Sequence, residues 1–353
     1  MNPLNCTSRT LRGLLAGAIL LSSSLSAAAS YVDVLELPAV ASPLAARALV
    51  NGLAVAGKRL VAVGQRGHIV LSEDGGASWR QASVPLSADL VAVQFPSALQ
   101  GWAVGHDGVV LHSADGGLHW QRQLDGRAIA ALLLRSYDND ASDAGVRAAA
   151  RRLAAQGADH SLLDVWFDDE RNGFVVGAFG LILHTADGGA SWQPWLERVA
   201  NPNGYHLNAV RGVDGDTLIA GEQGTLLKLN RGAARFDAIA SPYQGSYFGL
   251  AGGPGTLLAY GLRGHAYRST DHGLSWNKID TGLQVGLTAA TTLRDGRLAL
   301  VSQAGQVLLS ADGGASFQPL RPASPGPVSA VAAADDGAIV LGGLRGLRRQ
   351  PLR

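Results

Sequence analysis

The chain runs to 353 residues, 47% of them hydrophobic and 16% charged, with 46 glycines and a formal net charge of +1. That composition suits a globular fold rich in tight turns and excludes disordered and collagen-like chains. The near-balance of charge excludes a protein that grips nucleic acid or an anionic membrane through bulk charge.

The first 29 residues place Arg9 and Arg12 ahead of an apolar run, Leu14 to Leu21, and end in Ala27, Ala28 and Ala29. This order predicts a secretory signal peptide cleaved before Ser30. The apolar run is too short to span a bilayer comfortably, and no later stretch is a better candidate. A soluble protein, periplasmic or secreted, with no membrane insertion after cleavage is therefore expected. Cys6, the single cysteine, leaves with the peptide, so disulfides are excluded and stability must come from packing. Loss of Arg9 and Arg12 leaves 27 basic against 28 acidic residues, a net charge of −1. A monomer is expected.

Past the peptide, "YVDVLEL" (Tyr31 to Leu37) alternates as a strand does. A G-x-x-G motif then recurs, its last glycine at Gly67, Gly108, Gly180, Gly224, Gly264, Gly305 (decayed to "SQAG") and Gly346. The spacings are 41, 72, 44, 40, 41 and 41, so seven units are present and one interval carries about 31 extra residues. A unit of about 42 residues is the size of a four-stranded propeller blade. Unit two shows the internal pattern: "LVAVQF" (Leu90 to Phe95), "GWAVG" (Gly101 to Gly105) and "VVLHS" (Val109 to Ser113) read as three strands, and Trp120 begins a fourth.

An octet follows the third strand in five units: "SEDGGASW" from Ser72, "SADGGLHW" from Ser113, "TADGGASW" from Thr185, "STDHGLSW" from Ser269 and "SADGGASF" from Ser310. Asp74, Asp115, Asp187, Asp271 and Asp312 are placed to accept hydrogen bonds from turn amides, and the glycines to take conformations closed to other residues. Trp79, Trp120, Trp192, Trp276 and Phe317 are expected to pack between sheets. Five copies argue for scaffolding, since an active site needs one. Unit seven supplies Val328 to Ala334, Ala338 to Gly342 and Leu347 to Gln350 and then no octet. Tyr31 to Leu37 is expected to pair into this last blade and close the ring, removing an exposed sheet edge.

The extra residues, about Arg127 to His160, depart from strand patterning. "DAGVRAAARRLAAQG" (Asp143 to Gly157) is predicted helical, with Ser142 or Asp143 as N-cap and Gly157 at the C-terminus. Its arginines, Arg147 and Arg151 among them, form either a solvated rim or a partner contact.

The pattern S/T-x-D-x-G-x-S/T-W is the Asp-box seen in sialidases and other BNR-repeat propellers. With seven units, G-x-x-G turns and a signal peptide, the chain resembles the photosystem II stability and assembly factor family and its non-photosynthetic bacterial relatives. The resemblance implies an all-β, seven-bladed β-propeller, to which this sequence adds one helical insertion at about Arg127 to His160. It also implies a non-enzymatic assembly or stability factor, without cofactor, that docks on membrane or envelope protein complexes through an arginine-rich surface.

In a four-stranded blade the 2–3 turns and 4–1 connections share one face, opposite the Asp-boxes. That face is predicted to display Arg66, His106, Asp107, Phe179, Glu222, Arg263 and Arg345, variable side chains on a fixed turn, as a protein-binding surface requires. The alternative is a carbohydrate-active, sialidase-like glycosidase. Only five glutamates are present and no motif ties them to the tyrosines. Asp107 and Glu222 sit on units two and four, where the ~6.5–9.5 Å spacing of an inverting glycosidase is not expected. His112 and His184 repeat one strand position, as do His68 and His265, which reads as repeat descent and not as metal ligation.

Overall fold

Six of the seven repeat units fold as four-stranded antiparallel sheets and the seventh as three strands. The computed structural model describes residues 32–139, 141–157, 159–320 and 326–352, so the expected signal peptide and Tyr31 lie outside the described residues. Blade 1 is Val50–Ala56, Arg59–Gly64, Ile69–Ser72 and Arg80–Gln81, from the innermost strand outward. The innermost strands of blades 2 to 6 are Leu90–Gln94, Leu162–Phe167, Leu207–Val213, Tyr247–Gly253 and Leu287–Thr292. Blade 7 is Val328–Ala333, Ala338–Gly343 and Gly346–Pro351.

The second strand of each blade is sandwiched on both faces by its neighbours, which is why it reads as an unbroken apolar run and not as alternation. Gly101–Gly105 and Gly173–Gly177 are buried at every position. Each Asp-box blade places its aromatic residue against the preceding blade: Trp120 clusters with Val61 and Leu71 of blade 1, and Phe317 with Leu258 and Tyr260 of blade 5.

Innermost strands open on a β-bulge, seen between Val50 and Gly52 and again between Leu207 and Ala209, Leu287 and Ala289, and Val328 and Ala330. The bulged side chain reaches the next blade wherever it is polar. Asn51 Nδ2 donates to Leu90 O at 2.9 Å, Asn208 Nδ2 to Tyr247 O at 2.8 Å and Thr288 Oγ1 to Val328 O at 2.8 Å. Ser329 Oγ makes the same bond to Val50 O at 2.5 Å, joining blade 7 to blade 1.

Ring closure therefore differs from the strand exchange expected for Tyr31 to Leu37. Residues 34–37 form a turn and bend, not a strand, and blade 7 keeps three strands. The segment is a strap across blades 1 and 2. Val34 O accepts from Ser87 N (2.8 Å), Ala39 N donates to Val84 O (3.1 Å), and Ser42 N donates to the Gln81 side chain (2.9 Å). Leu35 is 2% exposed in the cluster of Val84, Leu86 and Leu90. Alternation fails here because Val34 and Leu35, adjacent in sequence, both pack against the same core, and Asp33 turns the backbone by accepting from Leu35 N. The strap ends at a short 3-10 turn, Ala45–Arg47, whose Ala46 carbonyl lies where a Cβ on Gly346 would meet it at 2.3 Å. That is the slot a 4–1 connection fills in the other blades.

The insertion holds two helices, where the sequence indicated one. α1 spans Gly126–Tyr137, capped by Asp125, and α2 spans Ala144–Ala154, capped by Asp143. Ile129, Leu133 and Tyr137 of α1, spaced by four, bury one face against Ala150 and Leu153 of α2 and against blade 3. The Tyr137 hydroxyl donates to Pro194 O and Glu197, and burial pushes its phenol pKa well up.

Candidate functional site

The Asp-boxes form closed hydrogen-bond loops. Asp74 Oδ1 accepts from Ser72 Oγ (2.7 Å) and Ser78 N (2.9 Å), its Oδ2 accepts from Ser78 Oγ (2.6 Å), and Ser72 Oγ accepts from Gly76 N (2.8 Å). Asp187, Asp271 and Asp312 repeat the pattern, and Asp115 substitutes His119 for the serine. The Ser191 hydroxyl and amide hold the Asp187 carboxyl down to about 2. Each of these carboxylates is engaged on both oxygens by its own turn.

On the opposite face each G-x-x-G turn is clamped by the connection to the next blade. The chain crosses so closely that a Cβ on Gly67 would lie 2.2 Å from Leu86 O, and one on Gly224 2.0 Å from Tyr243 O. The residue before that glycine is left-handed in five turns: Arg66 (φ 54°), Asp107 (57°), Phe179 (56°), Gln223 (52°) and Arg263 (57°). Apart from Asp107, these side chains are not the glycine, asparagine or aspartate that ordinarily signals positive φ. Five side chains of four kinds are thus held in a strained conformation on one face.

The structure puts the expected residues on that face with unequal freedom. Arg66, Arg263 and Arg345 are exposed, and their guanidiniums have no ion-pair or hydrogen-bond partner among the described residues. His106 Nδ1 meets Ser161 Oγ at 3.2 Å. Burial raises the Asp107 pKa; His106 opposes the shift, and Asp33, Asp159 and Asp89 add to it. Phe179 is 45% exposed and stacks edge-on against His206 at 4.7 Å. Glu222 accepts from His206 N at 3.0 Å, and blade 3 lies between it and Asp107, so the two carboxyls form no glycosidase pair. Arg147 donates to Asn139 O at 2.8 Å and Arg151 pairs with Asp138 at 2.5 Å, so both tie the helices together.

The face also has an apolar part. Leu262 and Leu344 stand exposed beside Arg263 and Arg345, Leu44 is exposed at the end of the strap, and Phe248 is exposed at the inner end of blade 5. Charge is paired on both faces: on the G-x-x-G side Arg127 pairs with Asp33, Arg151 with Asp138 and Arg198 with Glu197. On the Asp-box side Arg59 pairs with Glu73, Lys228 with Asp216, Arg231 with Asp168, Arg294 with Asp335 and Arg349 with Asp336. Among the described residues no group of three metal-ligating side chains is found, and no helix is long and apolar enough to cross a membrane.

The family model described as "Photosynthesis system II assembly factor YCF48" matches residues 54–129 and 148–316. The chain belongs to this family. The match omits residues 130–147, most of α1 and the start of α2, so the insertion is where this member departs from the family pattern. The photosystem II assembly protein Ycf48 of Synechococcus sp. (strain JA-3-3Ab) is 29% identical over 168 residues, covering 42% of this chain and 48% of that protein. The photosystem II assembly lipoprotein Ycf48 of Synechococcus sp. (strain CC9902) is 36% identical over 64 residues, 17% of this chain and 19% of that one. The chain thus spans about half the length, or less, of the curated relatives it matches. Among solved structures, YCF48 bound to a D1 peptide superposes with a TM-score of 0.63 at 16% identity, covering 90% of this chain and 96% of that one. YCF48 from Cyanidioschyzon merolae gives 0.61 at 16% identity, with 88% and 98% covered. At such identities these structures show the shared fold.

Proposed function

We propose that this protein is an exported, non-catalytic docking scaffold that assists assembly of a membrane or envelope protein complex, and that it receives its partner on the G-x-x-G face. The observation that carries this reading is the set of unpartnered arginines on the G-x-x-G turns themselves. Arg66, Arg263 and Arg345 stand unpaired on a face that also exposes Phe179, Leu262 and Leu344, whereas Arg127, Arg151 and Arg198 of the connections are spent on carboxylates. Free guanidiniums on rigid turns suit bidentate capture of partner carboxylates, and the apolar tips supply burial. Family membership supports an assembly role, and a family neighbour was solved with a peptide bound. The leader-like order of residues 1–29 supports export to the periplasm or beyond. A monomer fits a ring that closes on itself.

The test replaces Arg66, Arg263 and Arg345 together with alanine and compares affinity capture from detergent-solubilised envelope with wild type. Surface changes of this kind usually alter stability by about 0.5 kcal/mol, so the thermal midpoint should hold. The control removes Lys58, Arg171 and Arg235 from the Asp-box side. Loss of partners in the first variant and retention in the control is expected. Equal recovery by both at wild-type yield removes the arginines from the reading.

A further inference from the structure

The seven innermost strands enclose a cavity of about 560 Å³ on the ring axis. Aligning those strands at their bulges gives Gly52, Ala92, Ala209, Gly249, Ala289 and Ala330 at one shared position, and Asp164 in blade 3. The small residues are there for space: a Cβ on Gly52 would lie 3.0 Å from Val91 O and 3.2 Å from Ala92 Cα of the next blade. Two residues on, the series is Ala54, Gln94, Trp166, Ala251, Thr291 and Ala332, and blade 4 has Arg211. Asp164 and Arg211 are the one carboxylate and the one cation lining the cavity, and they touch at 3.0 Å.

The pair is unevenly satisfied. Asp164 Oδ1 accepts from its neighbour Val165 N at 2.9 Å, and Oδ2 accepts from Val210 N at 3.0 Å, so backbone donors already serve both oxygens. Arg211 adds only Nη2, at 3.0 and 3.3 Å. Its guanidinium rests over the Trp166 ring at 5.4 Å. Nε and Nη1 have no protein acceptor among the described residues, and the side chain is 31% exposed towards the cavity against 7% for Asp164. The donors of Asn51, Asn208, Thr288 and Ser329, which also line the cavity, are committed to neighbouring blades. Asn51 and Asn208 each keep one amide proton, but Arg211 alone brings a charge with its unused donors, and its position is fixed in advance by an ion pair and an aromatic face.

We propose that the axial cavity is a binding site for a small organic carboxylate, held by the guanidinium edge of Arg211 that Asp164 leaves open, beside Trp166. A guanidinium has five N–H donors in a rigid fork, and Nη2, which serves Asp164, keeps a second N–H that can pair with Nε or Nη1 as an edge for a second carboxylate. The volume lies within the ~300–1,000 Å³ range of small-molecule sites, and the walls are otherwise largely apolar or neutral. This site is separate from the G-x-x-G face and stands or falls apart from the docking reading.

Full-length protein carrying ¹⁵N-labelled tryptophan tests it, with the Trp166 indole signal identified by its loss in Trp166→Phe. Benzoate is the probe, benzamide its neutral isostere, and inorganic phosphate a separate arm. A saturable shift of the Trp166 signal with benzoate and none with benzamide is expected. Arg211→Lys keeps a cation against Asp164 but loses the fork, and should weaken benzoate about tenfold or more. Should that variant fold poorly, Asp164→Asn provides the converse, because removing the internal counter-ion should tighten benzoate. No shift at about 20 mM benzoate, an equal shift with benzamide, or unchanged affinity in both variants overturns the proposal. A response to phosphate without one to benzoate overturns the carboxylate assignment.

Discussion

Two adjacent residues of one turn show how differently a side chain and a backbone position contribute. Arg66 and Gly67 are both left-handed, at φ 54° and 69°. Gly67 is required twice, by its φ and by Leu86 O, which leaves no room for a Cβ. Arg66 tolerates the same region at a cost of about 1–2 kcal/mol and points into solvent. Gly67→Ala should therefore lower the unfolding free energy sharply, whereas Arg66→Gly should leave it unchanged or raise it by up to about 1 kcal/mol, both read by chemical denaturation. A destabilised Arg66→Gly would show that the side chain has a structural duty and would weaken the case for display. A third substitution belongs at this scale. Trp120 is 4% exposed and its Nε1 donates to Gly117 O, so Trp120→Ala should cost about 3–5 kcal/mol.

At the scale of elements, legibility followed repetition. Strands repeated seven times with Gly boundaries could be placed within a residue or two, as Gly101–Gly105 shows. α2 was legible through Asp143 and Gly157, its own start and stop signals. α1 was not, although Asp125 followed by Ile129, Leu133 and Tyr137 carries a cap and an i, i+4 stripe. The signal was present and masked by proximity to the fourth strand of blade 2. The strap is a different failure: seven alternating residues fit a strand locally, and only long-range contacts show that Leu35 fills a gap between blades 1 and 2. In the candidate face the arginines were legible as variable turn residues, but their lack of partners depends on where every carboxylate lies in space. The strap yields a prediction. Leu35→Ala should cost about 2–5 kcal/mol and raise hydrogen exchange in Val84 to Leu90, while the strands of blade 7 keep their protection. Increased exchange confined to Gly346–Pro351 would restore the strand-exchange account.

For the whole molecule, stability has two separate acid dependences, because two sets of groups titrate differently when folded. His68, His112, His160 and His184 all have pKa values lowered from 6.5 by burial. His160 is 2% exposed and its Nε2 lacks a partner, so a proton there has no acceptor to face. The unfolded chain takes up protons on these rings first, so their contribution is complete above about pH 6.5 and declines as pH falls below it. The Asp-box carboxylates act lower. Asp187 and Asp271, held near 2 chiefly by Ser191 and Ser275, contribute fully above the unfolded value of 3.8 and lose that contribution as pH falls towards 2. The thermal midpoint should accordingly stay level from about pH 8 to 7, drop in a first step below 6.5, and drop again below 3.8. His160→Gln should shrink the first step, since glutamine stays neutral, and Asp187→Asn should shrink only the second. A midpoint that rises on acidification from pH 7 to 5 would mean that the rings gain stabilising partners when protonated, contrary to their burial between blades.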